Sequence, residues 1–148
     1  INTGIGFAVS VDIVNRVVPT LIETGTFEYP YVGVSSLESL SLLQQDLLEL
    51  DNNTGAYITN VVSGSPADEA GLIGGTNQVV DYDGQSVNMP IGGDLIIKID
   101  DVEVGVFGDL LSYIMLNKSP GETVILTIVR NGEIIEVPLT LGSRSAVQ

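Results

Sequence analysis

The chemistry available to this chain is limited by the side chains that it lacks. Its 148 residues include nineteen Asp and Glu, five Lys and Arg, and no His or Cys. Without His or Cys, the sequence cannot supply a Ser-His-Asp or Cys-His arrangement for nucleophilic catalysis. The usual ligands of zinc and haem iron are missing as well. We therefore expect no catalytic residue, no metal and no cofactor in this chain.

Weaker catalytic and metal-binding candidates have structural interpretations. A Ser-Lys pair is formally possible with Lys98 or Lys118, but neither lies in a recognisable motif. Paired carboxylates can be chosen almost at will among nineteen acids, so they carry no information without a pocket. The sequence Asp-Tyr-Asp-Gly at 81–84 has part of a calcium loop, but the later ligands are missing, and we interpret it as a solvated hairpin.

Charge and length narrow the class of protein further. The formal net charge of −14 repels nucleic-acid phosphates and anionic lipid headgroups. No apolar run approaches the roughly 20 residues that span a bilayer. With 44% apolar residues, the chain can build the core of one ordinary domain. It begins without Met or a signal-peptide pattern, and we interpret it as a piece of a longer protein.

Hydrophobic spacing and turn residues predict the elements that must position any site. A helix beginning after Ser10 should be kinked or divided at Pro19, and the Leu-rich stretch at 37–50 fits either a helix or a strand with a loop. Asn131-Gly132 is typical of a tight hairpin turn. The predicted strands are 5–9, 56–62, 94–99, 123–129 and 134–141, and the other predicted helices begin at Ser65 and Phe107.

Five blocks, in order, resemble the PDZ region of HtrA/Deg-type serine proteases. Residues 5–25 look like the last strand and closing helix of the trypsin-like domain, and Tyr-Val-Gly-Val at 31–34 looks like the carboxylate-binding loop. Residues 63–72 resemble the family's GSPA…AGL element, 93–100 its GDVI…ID element and 120–124 its PGdtV element. The catalytic core is absent, and the segment at 74–93 is longer than in a minimal PDZ domain.

The resemblance implies a mainly β, α+β fold. We expect a PDZ-like, partly open β-barrel or sandwich of five to six strands, capped by two helices and preceded by a strand–helix stub of a trypsin-like domain. The implied boundaries are 1–27 for the stub, 28–142 for the PDZ domain and 143–148 for a disordered tail.

The resemblance also implies a peptide site with three parts. Backbone N–H groups around Gly33 would receive a terminal carboxylate, and an open strand edge at 34–37 would pair with the extended peptide. The helix beginning at Phe107 would complete an apolar pocket for the last side chain. Gly33→Val is then expected to weaken binding while leaving the fold intact. The predicted site comprises Tyr31, Val32, Gly33, Val34, Ser35, Leu37, Leu111, Ile114 and Met115.

The same resemblance implies a function. The chain would be the regulatory, peptide-binding module of an HtrA-like serine endopeptidase in protein quality control. It would bind C-terminal or hydrophobic segments of misfolded proteins, and act on the protease domain of the same chain. The parent hydrolase would be an extracytoplasmic homotrimer, periplasmic or at the cell surface, of a family that is often membrane-anchored, although this fragment itself would not insert into a membrane or bind nucleic acid. The alternative is an oligomerisation module, with the groove occupied by its own loop or a neighbouring subunit.

Overall fold

The computed structural model describes residues 10–48, 50 and 54–145, so the strand predicted at 5–9 lies outside the described residues. Helix α1 spans Val11–Thr24, and the Ser10 hydroxyl accepts a backbone hydrogen bond at its beginning. Gly25 ends it in the left-handed conformation, with φ of 76°, which glycine adopts easily because it has no Cβ. Contrary to the predicted division, the helix is continuous through Pro19. None of the described helices is long and apolar enough to cross a membrane.

A six-stranded antiparallel sheet forms the centre of the fold. Its strands are β2 (Val34–Ser36), β3 (Ala56–Val61), β6 (Leu95–Ile99), β7 (Val102–Glu103), β8 (Thr123–Arg130) and β9 (Glu133–Thr140). The strand order is β2-β3-β6-β8-β9, and the short strand β7 also pairs with β6. Strands β2 and β9 are therefore the edge strands at the two ends of this order.

Two smaller strand pairs flank this sheet. Strand β1 (Glu28–Tyr31) pairs with β10 (Gly142–Ser145), and β4 (Thr76–Tyr82) pairs with β5 (Gln85–Ile91). The disorder predicted from residue 143 is therefore wrong for 143–145, because β1 offers these residues a strand to pair with. Residues 146–148 lie outside the described part of the chain.

Both predicted hairpin turns are confirmed. Asn131 and Gly132 have φ of 52° and 80°, and Asp83 and Gly84 have φ of 49° and 76°. Two successive residues of positive φ are the mark of the tight turn that matches the twist of antiparallel strands. The turn at 83–84 closes a hairpin with seven residues in each strand, longer than the small hairpin expected there.

In the described part of the chain, three helices follow α1. The Leu-rich stretch contains α2 (Leu42–Leu47), which begins at a Ser41 capping box. The predicted short helix is α3 (Pro66–Glu69), and the helix predicted from Phe107 is α4 (Phe107–Asn117).

Among the described residues, buried apolar side chains pack in two clusters. The larger one joins the sheet to α3 and α4 through Ala67, Leu110 and Ile114, together with Ile58 and Ile96. The smaller cluster consists of buried Leu40, Tyr57 and Leu95, with half-buried leucines of the Leu-rich segment around them. Neighbouring residues along β3 and β6 divide between the two clusters because successive strand side chains point to opposite faces.

A buried ion pair ties the start of β6 to the end of β8. The Asp94 side chain is fully buried, and its two carboxylate oxygens each accept a hydrogen bond from Arg130 at 2.7 Å. Asp94 also accepts the Ile73 N–H at 2.8 Å, and Arg130 donates to the Gly71 carbonyl at 2.8 Å. The carboxylate is thus satisfied by three donors, which stabilises it away from water.

Candidate binding groove

Strand β2 has one edge that no strand covers in the described part of the chain. Val34 lies opposite Val61, and the Val62 N–H donates to the Gly33 carbonyl at 2.9 Å. In an antiparallel ladder, a bond that flanks a pair in this way leaves the backbone groups of the paired residues pointing outward. The N–H and carbonyl of Val34 therefore point away from β3, towards the free edge.

Ser36, two residues further along β2, has the same arrangement. It lies opposite Ile58, and the flanking bond runs from the Leu37 N–H to the Tyr57 carbonyl at 3.1 Å. The pairing register shifts by one residue between Ser35 and Ser36, but Val34 and Ser36 both direct their backbone groups towards the uncovered edge of β2. Two residues of β2 thus present donors and acceptors to an incoming strand.

The turn before β2 presents two further N–H groups. The Val32 carbonyl accepts the Ala67 N–H at 2.9 Å, and the Gly33 carbonyl accepts the Val62 N–H and the Ser65 hydroxyl. In a trans peptide, the N–H points opposite to the preceding carbonyl. The N–H groups of Gly33 and Val34 consequently point away from these partners. Adjacent N–H groups of this kind can bind an anion such as a carboxylate.

Gly33 is required by the fold as well as by this turn. Its φ is 91°, and a Cβ added there would overlap the Ser65 side chain. Ser65 is itself the N-cap of α3, since its hydroxyl accepts the Asp68 N–H at 3.4 Å. The expectation that Gly33→Val leaves the fold intact is therefore wrong, because the substitution strains the turn and displaces the cap.

Helix α4 contacts β1 and β3, the strands before and beside β2. A Cβ on Gly108, near the helix start, would lie 3.7 Å from the carboxylate of Glu38, just beyond β2, which places this flank of the helix next to the uncovered edge. At 100° per residue, Phe107, Leu111 and Met115 form one flank of the helix. Tyr113 lies on the other flank.

The exposure of the predicted residues on α4 differs. Leu111 is 45% exposed and Met115 is half-buried, so both are available beside the groove. Ile114 is 2% exposed and belongs to the larger core cluster with Leu110, so the structure does not present it at the surface.

The predicted residues on and before β2 also divide. Val34 is half-buried and packs against the larger cluster, on the side of α4, whereas Leu37 packs in the smaller cluster on the opposite face. Val32 is 7% exposed and contributes to the core. Ser35 alternates with Val34, and its carbonyl accepts the Thr59 hydroxyl at 3.2 Å. The assignment of Leu37 to the groove is therefore not supported.

The nine predicted site residues leave out Ser36 and Phe107, although the predicted strand edge at 34–37 and the predicted helix wall contained them. Ser36 has outward backbone groups, and strand alternation places it on the face of Val34. Phe107 is half-buried, packs against the larger cluster and shares the flank of Leu111. Applying the strand and helix periods strictly from Val34 and Leu111 would have found both.

Charges near the turn and the helix have distinct partners. The Arg144 guanidinium lies 6.0 Å from the centre of the Tyr31 ring, and the Tyr31 hydroxyl lies close to Gly33. On the far flank of α4, Asp100 accepts hydrogen bonds from the Tyr113 hydroxyl at 2.8 Å and the Ile125 N–H at 2.9 Å, and pairs with Lys118 at 2.9 Å. Burial raises the pKa of Asp100, but these hydrogen bonds outweigh it and hold the pKa below its ordinary value.

The hairpin formed by β4 and β5 lies on the same side of the sheet as α2. Its Tyr82 hydroxyl donates to Asp46 at 3.1 Å, and the Tyr57 hydroxyl donates to the Pro90 carbonyl at 3.1 Å. The described hairpin thus packs beside the smaller cluster rather than against α4. A cavity of about 1020 Å³ opens on that side, between Leu47 and Ile97, and none of the nine predicted site residues lines it.

An antiparallel sheet with an uncovered edge at β2, a glycine turn before that strand and a helix packed on the sheet is the arrangement to which PDZ domains add a peptide strand. A sequence model of the PDZ domain matches residues 30–141, more than half of the chain. The chain belongs to the PDZ domain family.

Longer proteins are similar in sequence to the chain. A probable periplasmic serine endoprotease, DegP-like, from Chlamydia pneumoniae is 30% identical over 139 residues, which cover 94% of this chain and 24% of the relative. The chain thus spans about a quarter of that relative's length.

Solved structures share the fold. The HtrA-type protease AlgW with a decapeptide has a TM-score of 0.72 and 23% identity, over 96% of this chain and 38% of that one. The HtrA3 PDZ domain bound to a phage-derived ligand, FGRWV, has a TM-score of 0.59 and 16% identity, over 82% of this chain and 92% of that one.

Proposed function

We propose that this chain binds peptides with an apolar C-terminal residue, by adding them as a further strand to β2. The observation that carries this proposal is the outward direction of the backbone groups of Val34 and Ser36, at the uncovered edge of the sheet. Backbone pairing of this kind gives affinity that tolerates many sequences.

Each part of the proposed complex has a named position. The terminal carboxylate accepts hydrogen bonds from the N–H groups of Gly33 and Val34, and the preceding peptide backbone pairs with Val34 and Ser36. The last side chain packs between Val34 and the flank of α4 that carries Phe107 and Leu111. Because the net charge is −14, apolar or basic peptides are favoured over acidic ones.

Isothermal titration with a matched pair of peptides tests the carboxylate. A free apolar C-terminus should bind about 10- to 100-fold more tightly than the same peptide with an amidated end, because hydrogen bonds to a charged group contribute about 1.5–3 kcal/mol. Equal affinity for the two peptides would refute carboxylate recognition.

Two leucines of α4 provide a matched test of the groove. Leu111 is 45% exposed and Leu116 is 37% exposed, but they lie on different faces of the helix. Leu111→Asp should abolish measurable peptide binding, whereas Leu116→Asp should leave the Kd within about twofold. Similar losses in both folded variants would contradict the assignment of the groove.

We further propose that the chain is the non-catalytic PDZ module of an HtrA-like serine endopeptidase, with residues 1–27 as the end of its trypsin-like domain. The names of the relatives support this assignment, and so does α1, where Val11 is 65% exposed and Ile22 is 79% exposed. Such apolar side chains on one short helix suit a surface covered by another domain.

The properties of that parent belong to the same proposal. It acts outside the cytoplasm as a homotrimer on misfolded proteins, and this module delivers substrate or regulates the protease domain. A casein-cleavage assay with the purified chain should show no hydrolysis, and reproducible cleavage would refute the division of roles.

A further inference from the structure

Arg16 connects α1 to the C-terminal end of α4. Its guanidinium donates hydrogen bonds to the carbonyls of Met115 and Lys118, and to the Ser119 hydroxyl at 3.3 Å. Arg16 is half-buried, and α1 contacts α4 in this region. One side chain from outside the groove thus holds the end of the helix that borders it.

The chemistry of this contact suits arginine. The last carbonyls of a helix have no partner within the helix, and the helix dipole places partial negative charge there. The last turn of α4 contains no basic residue of its own, so Arg16 brings the cation from another element. The planar guanidinium can donate to several acceptors at once, which a lysine ammonium cannot do in the same fixed geometry.

The rest of the junction is less closely packed. A cleft of about 450 Å³ lies between Thr20 and Thr24 of α1 and the turn at Ser119 and Pro120. Val17 is the buried residue of α1, and the apolar residues of its outer face are exposed. Displacement of α4 would therefore reach α1 largely through the neighbourhood of Arg16.

We propose that Arg16 is a positioning residue that couples the peptide groove to α1. A peptide seated between β2 and α4 shifts the preferred position of α4, and Arg16 transmits this shift to α1. By linkage, a partner that fixes α1 changes the affinity for peptide by the same factor by which peptide changes the affinity for that partner. This inference rests on the proposed function, since it requires a peptide in the groove.

Amide resonances measured by NMR during titration with an apolar C-terminal peptide test the coupling. In the wild-type chain, we expect shifts in residues 34–36, in α4 and in Val11–Thr24 of α1. In Arg16→Gln, the shifts in 34–36 should persist, those in α1 should fall to the noise, and the Kd should change by about fivefold, the lower end of usual couplings. Lys98→Gln removes one positive charge at an exposed position of β6 and should leave the α1 response unchanged.

The outcomes separate this inference from the proposed function. If no peptide shifts residues 34–36 of the wild-type chain, both are refuted. If the peptide binds but α1 does not respond, or responds equally in Arg16→Gln, the coupling is refuted and peptide binding stands. Arg16→Lys keeps the charge without the planar fork and should at least halve the α1 response. An undiminished response in this variant would also refute the role given to Arg16, whether or not Arg16→Gln folds.

Discussion

The two edges of the six-stranded sheet are built differently. Strand β9 carries Glu133, Glu136 and Pro138, and α3 contacts it. Pro138 lies opposite Ile125, whose backbone groups bond to Asp100 on the other side of β8. The nitrogen of Pro138 therefore faces the outer edge, where it has no hydrogen to donate. Strand β2, at the opposite edge, has neither a charge nor a proline.

This difference indicates what each edge is for. Charged residues and proline on an edge strand prevent pairing with other chains. Strand β9 has both devices and is protected, whereas β2 is short and keeps its outward donors and acceptors free. The contrast supports β2 as the strand that a peptide extends, and substitutions at each edge test it.

Breaking the buried ion pair between Asp94 and Arg130, which joins the two central strands β6 and β8, should have the largest effect. Asp94→Ala leaves Arg130 and the Ile73 N–H without their shared partner, and should destabilise the fold by about 3–5 kcal/mol. Urea unfolding measures this loss. Asp81→Ala, on the exposed β4–β5 hairpin, is the control and should change stability by less than about 0.5 kcal/mol. A loss below about 1 kcal/mol for Asp94→Ala would contradict the role of the ion pair.

Giving β2 the protection that β9 has should weaken peptide binding. Ser36→Pro removes an outward N–H without breaking the β2–β3 ladder, so the Kd should rise about three- to tenfold, the equivalent of one hydrogen bond. Titration calorimetry measures the change. Ser35→Pro removes an N–H that faces β3, and should lower the unfolding free energy instead. Unchanged affinity in folded Ser36→Pro would contradict pairing at this edge.

Removing the protection of β9 should produce a smaller effect. Pro138→Thr restores an outward N–H on the exposed side of β9, so we expect weak self-association at high protein concentration, visible by sedimentation velocity. Pro120→Thr changes a proline in a turn outside the sheet and should leave sedimentation unchanged. Identical sedimentation of both variants and the wild type would indicate that α3 and the glutamates suffice to protect the edge.

The smallest effect concerns the flank of α4 away from β2. The folded protein holds the pKa of Asp100 below its ordinary value, so Asp100 stabilises the fold above the unfolded pKa of about 3.9, and this stabilisation is lost as pH falls through the folded pKa. At pH 6, Asp100→Asn should cost up to about 1 kcal/mol in urea unfolding. The difference between the two proteins should shrink below about pH 4. A difference independent of pH would contradict the charge as its cause.

Local signals predicted much of the fold. Asn131-Gly132 and Asp83-Gly84 required positive φ and formed hairpin turns, and Ser65 followed by proline began a helix. These features are decided by backbone sterics and capping within a few residues. The Leu-rich stretch was ambiguous because its leucines fit a helical spacing over only part of its length. The others are placed by packing in the smaller cluster, which also contains Tyr57 and Leu95 from distant strands and which the sequence does not reveal.

The site was less predictable because it depends on which face each residue occupies. Leu37 and Ile114 have the apolar character of groove residues, but Leu37 packs on the opposite face and Ile114 is buried. The strand at 143–145 depends on a partner more than a hundred residues earlier. Contacts of this separation leave no local periodic signal.

By itself, the sequence determined the absence of His and Cys, the charge of −14, the turns and the PDZ motifs. Those features follow from composition and from interactions between near neighbours. Tertiary structure alone decided that Val34 and Ser36 direct their backbone groups to the uncovered edge, that Gly33 must make room for Ser65 and that Arg16 reaches the end of α4. Each of these depends on packing between distant segments, because only close packing in the folded chain brings their atoms within hydrogen-bonding or van der Waals distance.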